Sequence, residues 1–300
     1  MSQIASHKMN VFYFNITYTC NSNCVFCYSH NTIHSGRIHN EIELDDFVNF
    51  LKSQNVQSTD RVIINGGEPF MHSNIIHILK SLLYFKCEVL IYTNGRCLEN
   101  YDFSFMTSNY RFVIPVHGFR ELHDMITQSP GSYDEMVRGI NHLTQYSCKI
   151  DIKVIINPDM ISSMLIFNQT LSSLDDLRFN NAVHITKMAD TIISKKNGLP
   201  SIDNREASFY TKQLFEHMKK REVIIKLFDT CVKEIKIESC EDRVIPLNVL
   251  FKDSKSSRNI ALDEPNWSCR KRCPKSRFCH SAVYNYTVLE YNKIFYNSIE

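Results

Sequence analysis

Three cysteines near the amino terminus have a spacing suited to metal chemistry. Cys20, Cys24 and Cys27 follow an apolar, β-rich run in C-x3-C-x2-C spacing. Thiolates of one loop can converge on one metal centre, and a cubane iron–sulfur cluster with three cysteine ligands leaves one iron open for a further ligand. The alternative is a structural zinc site, for which His30 or His34 could supply the fourth ligand.

A second candidate site is the run VIINGGEP at residues 62–69. Gly66 and Gly67 free the backbone to approach a ligand closely, and Pro69 ends the preceding strand rigidly. An ordinary turn would explain the same residues. The place of this run, directly after a second apolar strand, favours a ligand-binding turn.

Apolar, β-rich runs alternate with amphipathic stretches, and this alternation indicates βα units around a parallel sheet. The predicted strands cover residues 11–18, 61–65, 88–94, 111–116, 149–157 and 177–186. The predicted helices lie near residues 43–54, 73–85, 134–146, 160–174 and 207–221. Residues 191–207 are expected to form a linker or lid because they carry Gly198 and Pro200.

Composition and charge narrow the class of protein. A chain of 300 residues that is 43% hydrophobic can form one large α/β domain with a smaller appendage. Its formal charge of +2 gives no electrostatic sign of a nucleic-acid or membrane-surface partner. No apolar signal segment or spanning helix is evident, so we expect a cytoplasmic protein. In that reducing compartment, eleven cysteines favour metal ligation or catalysis over disulfides.

The cysteine spacing, with Phe26 before and Tyr28 after the third cysteine, resembles the signature of the radical S-adenosylmethionine (SAM) superfamily. The GGEP run resembles a glycine–glycine–glutamate–proline turn of the same superfamily, and the YTNG run at 92–95 and the segment 113–143 resemble parts of members that act on peptides. The resemblance covers roughly residues 9–190. It implies an α/β fold, a partial (β/α)6 TIM-like barrel with its site at the carboxyl ends of the strands.

The resemblance also implies cofactors and their ligands. Cys20, Cys24 and Cys27 would hold a [4Fe–4S] cluster whose open iron binds SAM. An electron from a donor such as flavodoxin or ferredoxin would cleave SAM to a 5′-deoxyadenosyl radical, which abstracts hydrogen from a substrate. The residues implied in cofactor binding are Phe26, Tyr28, Gly66, Gly67, Glu68, Pro69, Asn94, His117, Arg138 and Ile155.

Two positions depart from the superfamily pattern near the end of the fourth strand. Pro115 and His117 stand where members often have a serine and an acidic residue. Arg138 is therefore a candidate cation for the SAM carboxylate, with a solvated helix-face charge as the alternative.

Cys97, two residues after the TNG run, is a candidate catalytic residue. It should lie near the mouth of the site, where its thiol could give a hydrogen atom to a substrate radical. A small apolar side chain at a helix start is the alternative interpretation.

Five further cysteines lie in the carboxyl-terminal part: Cys231, Cys240, Cys269, Cys273 and Cys279. They resemble a shortened form, called Twitch, of the SPASM extension of peptide-modifying members. This resemblance implies an auxiliary [4Fe–4S] cluster held by Cys269, Cys273, Cys279 and either Cys231 or Cys240. A structural zinc bound by the same cysteines, with His280 as a further ligand, is the alternative.

We therefore expect a radical SAM core over residues 1–205 and a small cysteine-rich auxiliary domain over residues 206–300. The expected substrate is a ribosomally made peptide that is cross-linked, oxidised or epimerised. A dehydrogenase or rearrangement enzyme acting on a small molecule is the main alternative, and a non-catalytic metal-binding scaffold is the other. Neither a nucleic-acid nor a membrane partner is expected.

Overall fold

A computed structural model describes residues 10–27, 41–221 and 223–227. Its centre is a parallel sheet of seven strands that lie side by side in chain order. The strands are Val11–Asn15 (β1), Arg61–Asn65 (β2), Glu88–Tyr92 (β3), Tyr110–Val116 (β4), Lys149–Ile156 (β5), Ala182–Lys187 (β6) and Ile224–Leu227 (β7). This arrangement confirms the α/β class and is consistent with a partial TIM-like barrel.

Helices connect the strands and cover one face of the sheet. They are Leu44–Ser53 (α1), Ile75–Ser81 (α2), Arg120–Thr127 (α3), Ser132–Leu143 (α4), Met164–Asp175 (α5), Ile192–Lys196 (α6) and Asn204–Met218 (α7). Short 3-10 turns occupy Pro69–Met71, Leu82–Tyr84, Leu98–Asn100 and Lys219–Arg221. Side-chain caps fix several starts; for example, the Asp203 carboxylate accepts bonds from two backbone N–H groups of α7. No helix among the described residues is long and apolar enough to cross a bilayer.

The strands place alternate side chains on the two faces of the sheet. Along β5, Ile150, Ile152, Val154 and Ile156 are fully buried and belong to the core between sheet and helices. Lys149 and Ile155 are only partly buried, and both lie on the other face. Polar and reactive side chains can therefore lie on the face away from this core, or at the ends of the strands, without disturbing the core.

The structure differs from the sequence prediction in three elements. Helices α3 and α6 were not predicted, and β7 adds a seventh strand beside β6. Strand β7 has four residues and α6 has five, which is too short for a recognisable periodic pattern. The expected boundary between residues 205 and 206 falls inside α7. A separate carboxyl-terminal domain stays a prediction.

Candidate active site

The cysteine loop follows β1 and is held against α3. The backbone N–H of Asn23 donates to the Thr127 carbonyl at 3.0 Å, and that of Val25 donates to the Ile126 carbonyl at 2.9 Å. Cys20, Cys24 and Cys27 form no disulfide among the described residues, and each is partly exposed. The loop therefore has a defined backbone conformation and carries three partly exposed thiols.

The chemistry of these thiols fits an iron–sulfur cluster, because cysteine thiolates are the ligands that such clusters use. Burial raises the pKa of the Cys20 and Cys24 thiols to about 12, and charge on Cys27 adds to the effect. The positive charge of a bound metal centre would stabilise the thiolate forms.

The GGEP turn packs directly on the chain that leads into Cys20. The Gly67 N–H donates to the Thr17 carbonyl, and the Glu68 N–H donates to the Thr19 carbonyl, both at 2.8 Å. A Cβ on Gly66 would lie 2.2 Å from the Thr17 oxygen, and one on Gly67 would lie 2.3 Å from the Thr19 oxygen. The close approach that these glycines permit is thus an approach to the cysteine loop itself.

Glu68 is buried and joins the turns after β2 and β3. Its carboxylate accepts hydrogen bonds from the Thr93 hydroxyl at 2.6 Å and from the Asn94 N–H at 2.7 Å. The Phe70 N–H donates a third bond at 3.1 Å. Burial raises the pKa of Glu68, and these hydrogen bonds oppose the rise. The turns after β2 and β3 are therefore fixed relative to each other by one side chain.

The turn after β3 contacts the cysteine loop through side chains. The Asn94 amide donates to the Asn21 side-chain oxygen at 2.6 Å, and the Asn21 amide donates to the Cys97 sulfur at 3.3 Å. Burial raises the pKa of Cys97, so this partly exposed thiol keeps its proton near neutral pH. A neutral thiol beside the loop is the form that the predicted hydrogen-atom donor needs, and that role stays a prediction.

Arg96 was missed by sequence reasoning, although it directly follows the TNG run. Its guanidinium donates to the Ser22 hydroxyl at 3.0 Å, to the Asn21 carbonyl and to the Glu135 carboxylate at 2.5 Å. Its side chain is 13% exposed. Arg96 therefore brings a partly buried positive charge to the residues that follow Cys20.

At the end of β4, a pair of rings borders the cysteine loop. The Phe26 ring packs edge-on against the His117 ring with centroids 5.2 Å apart. The His117 Nδ1 atom is buried and has no hydrogen-bond partner among the described residues. Burial lowers the pKa of His117 well below its usual range, so the imidazole is neutral. An unsatisfied ring nitrogen beside the loop fits a bound molecule with a hydrogen-bonding group.

The remaining predicted cofactor residues lie in different surroundings. Pro69 is buried at the start of a 3-10 turn, and Ile155 is partly buried near the end of β5. The Arg138 side chain is 52% exposed, with its Nε 3.4 Å from a Glu99 carboxylate oxygen. This location supports the alternative of a solvated helix-face charge for Arg138.

Several predicted site residues lie outside the described part of the chain. They are Tyr28, His30 and His34 after the cysteine loop, and Cys231, Cys240, Cys269, Cys273, Cys279 and His280 in the carboxyl-terminal part. The auxiliary cluster and its zinc alternative therefore stay predictions. Cys87 and Cys148, by contrast, are described and lie buried in the core.

Comparison with known proteins gives the class of this chain. The family model described as Radical SAM superfamily matches residues 14–164, about half of the chain. That stretch contains the cysteine loop, the GGEP turn, the turn after β3 and the ring pair at the end of β4. The chain belongs to the radical SAM superfamily, a family that implies SAM and a [4Fe–4S] cluster as cofactors.

Particular relatives cover the chain in part. Fe-coproporphyrin III synthase of Methanosarcina barkeri is 22% identical over 161 residues, which are 52% of this chain and 39% of that protein. The structure resembles Streptococcus suis SuiB bound to S-adenosylmethionine, with a TM-score of 0.54 and 13% identity over 78% of this chain and 54% of SuiB. Native anSMEcpe with bound AdoMet gives a TM-score of 0.55 and 12% identity over 73% of this chain and 63% of that one.

These similarities cover only part of each relative. The chain spans less than two thirds of the length of each of these relatives. Both structural relatives have also been solved with peptides, SuiB with its precursor peptide SuiA and anSMEcpe with AdoMet and the Cp18Cys peptide. At such low identity the structural likeness shows a shared fold.

Proposed function

We propose that this chain cleaves SAM reductively at a [4Fe–4S] cluster held by Cys20, Cys24 and Cys27 and then abstracts hydrogen from a substrate. One observation carries the proposal: the turns after β1, β2 and β3 are hydrogen-bonded to one another around three partly exposed thiols. When bound, the cluster and SAM supply the electron and the 5′-deoxyadenosyl radical.

The protein's own residues orient and shield the site. Glu68 and Asn94 hold two strand-end turns against the loop that carries the thiols. Phe26 and the neutral His117 form one wall, and the unsatisfied His117 Nδ1 can accept or donate a hydrogen bond to a bound ligand. Since the rings exclude water on that side, polar contacts made there are stronger than in bulk solvent.

A ribosomally made peptide is the substrate class that we propose. The peptide complexes of SuiB and anSMEcpe support this choice, as does the carboxyl-terminal cysteine pattern. A small-molecule substrate is the second candidate, because the curated relative is named for an iron porphyrin product. Transfer of deuterium from a labelled candidate substrate into 5′-deoxyadenosine would distinguish the two.

The test combines SAM cleavage with iron counting in anaerobically reconstituted, reduced protein. Replacing Cys20, Cys24 and Cys27 with alanine should abolish 5′-deoxyadenosine formation and reduce the iron content from about eight atoms to about four. The remaining iron would belong to the predicted auxiliary cluster of Cys269, Cys273, Cys279 and either Cys231 or Cys240. The matched control is Cys148→Ala, which removes a buried core thiol and should leave SAM cleavage intact.

Two outcomes would contradict parts of this proposal. Unchanged SAM cleavage in the triple variant would exclude the catalytic assignment of the amino-terminal cysteines. A metal content of four irons and one zinc per wild-type chain would mean that the carboxyl-terminal cysteines bind a structural zinc and not an auxiliary cluster.

A further inference from the structure

Arg96 connects three separate elements at the site. Its guanidinium reaches Ser22 and the Asn21 carbonyl of the cysteine loop on one side and Glu135 in the first turn of α4 on the other. Its own backbone N–H donates to the Asn94 side chain at 3.0 Å. A single side chain thus ties the chain just after Cys20 to the turn after β3 and to α4.

The geometry requires an arginine. A guanidinium is planar and offers several donors in fixed directions, so it can bind a carboxylate, a carbonyl and a hydroxyl together. A lysine has one compact ammonium on a flexible stem and would satisfy fewer of these acceptors at once. Glu135 holds the guanidinium through a charge-assisted bond of 2.5 Å.

The charge of Arg96 acts on the thiols as well. Its guanidinium donates to the Asn21 carbonyl and the Ser22 hydroxyl, which directly follow Cys20 in the chain, so a fixed cation lies next to the cysteine loop. Arg96 therefore stabilises negative charge on these sulfurs. Reduction of a thiolate-ligated cluster adds one negative charge, which a nearby fixed cation also stabilises.

We propose that Arg96 is a positioning residue that holds the cysteine loop ready for cluster ligation and raises the reduction potential of the bound cluster. This inference rests on the proposed cluster at Cys20, Cys24 and Cys27. It assigns to Arg96 two separable effects, one through its hydrogen bonds and one through its charge.

Three variants separate these effects. Arg96→Gln removes the positive charge and most of the hydrogen bonds of the guanidinium. Arg96→Lys keeps the charge but loses the planar set of donors. Glu135→Gln keeps Arg96 but weakens the charge-assisted bond that holds its guanidinium. The matched control is Arg138→Gln, which removes an exposed arginine from α4. Hydrogen exchange of the Asn23 and Val25 amides reports loop order, and an EPR-monitored redox titration of reconstituted protein reports the cluster potential.

The expected results differ between variants. In Arg96→Gln, both amides should exchange at least tenfold faster, and the equilibrium constant for one-electron reduction should fall about tenfold, or about 59 mV. Arg96→Lys should show the faster exchange with a potential near that of the wild type. Glu135→Gln should show a smaller increase in exchange, and Arg138→Gln should match the wild type.

The outcomes also separate this inference from the proposed function. An Arg96→Gln variant that binds its cluster with unchanged amide exchange and unchanged potential would overturn the inference alone. If Arg96→Gln folds by circular dichroism but binds no iron, positioning is supported and the Arg96→Lys potential decides the charge effect. A wild type that binds no cluster through the three cysteines would overturn the proposed function instead.

Discussion

The two ends of the strands hold polar side chains in opposite ways. Toward the amino ends, charged groups are buried or partly buried and are paired with one another. At the carboxyl ends, thiols are partly exposed, and a buried histidine nitrogen lacks a hydrogen-bond partner among the residues that the structure describes. The same parallel sheet supports both, so the difference lies in what each end has to bind.

The amino-end network spans neighbouring strands. Glu88 pairs with Arg61 at 2.5 Å and with Arg111 at 2.9 Å, and Arg111 also approaches Asp151 at 3.6 Å. The fully buried Asp151 carboxylate accepts a 2.7 Å hydrogen bond from His184. Each of these residues lies within the first three positions of its strand. Most of these groups are paired with one another, which is the pattern of a structural network, although the buried Nε of Arg111 has no hydrogen-bond partner among the described residues.

The carboxyl-end groups leave capacity for a ligand. Their mutual contacts are mainly short bonds between amides, hydroxyls and backbone, as between Asn94 and Asn21. Those bonds fix the turns, while the three thiols stay partly exposed and the buried His117 Nδ1 has no hydrogen-bond partner within the described part of the chain. The comparison teaches that ion pairs dominate the amino end of this sheet, whereas hydrogen-bonded turns at the carboxyl end hold partly exposed thiols that could bind a ligand.

We expect the largest effect on stability from a substitution of Asp151 in the amino-end network. Asp151→Ala leaves the cationic Arg111 next to a cavity, so the free energy of unfolding should fall by about 3–5 kcal/mol. SAM cleavage per folded molecule should not change, because the network lies at the other end of the strands. Urea unfolding and a 5′-deoxyadenosine assay measure the two quantities, with exposed Asp190→Ala as the control. If Asp151→Ala lowered the specific activity as well as the free energy of unfolding, the amino and carboxyl ends of the strands would not be independent.

A second substitution addresses the carboxyl end. In Gly67→Ala the new Cβ would clash with the Thr19 carbonyl, so the GGEP turn and the cysteine loop must separate. We expect a loss of about 1–3 kcal/mol in unfolding free energy together with a large loss of bound iron. Gly131→Ala is the control for iron content, since its Cβ would meet no atom within 4 Å, although its positive φ of 82° adds backbone strain of its own. Normal iron content in Gly67→Ala would show that the loop does not need this contact.

The smallest effect is a pH dependence at the amino end. Burial lowers the pKa of His184, so below about pH 6.5 the unfolded chain binds a proton that the folded protein does not. Stability should therefore decrease as the pH falls, by up to about 1.4 kcal/mol per unit for this residue. His184→Gln should remove that part of the slope between pH 6 and pH 5, while the exposed His77→Gln should not. Parallel profiles for wild type and His184→Gln would contradict this reading of the network.

The strands and the cysteine loop could be predicted because each depends on a short stretch of sequence, an apolar run or a fixed cysteine spacing. The predicted strand at residues 61–65 agrees with β2, and the predicted strand at residues 149–157 agrees with β5 to within one residue. Such short patterns do not show whether a side chain lies at the site or on the solvent-exposed surface. Arg138 was chosen as the site cation, whereas the structure turns Arg96 into the site and leaves Arg138 more than half exposed on α4. Which of two nearby arginines points inward depends on how α4 packs on the turn after β3.

The bonds of Glu68 also set the smallest piece of this site that can be exchanged between proteins. Its carboxylate binds the hydroxyl of Thr93 and the backbone of Asn94, which belong to the next strand's turn. A chimera that imports residues 66–69 without the matching turn would bury a carboxylate with too few donors. For protein engineering, the turns after β2 and β3 are therefore one module, although 23 residues of sequence separate Pro69 from Thr93.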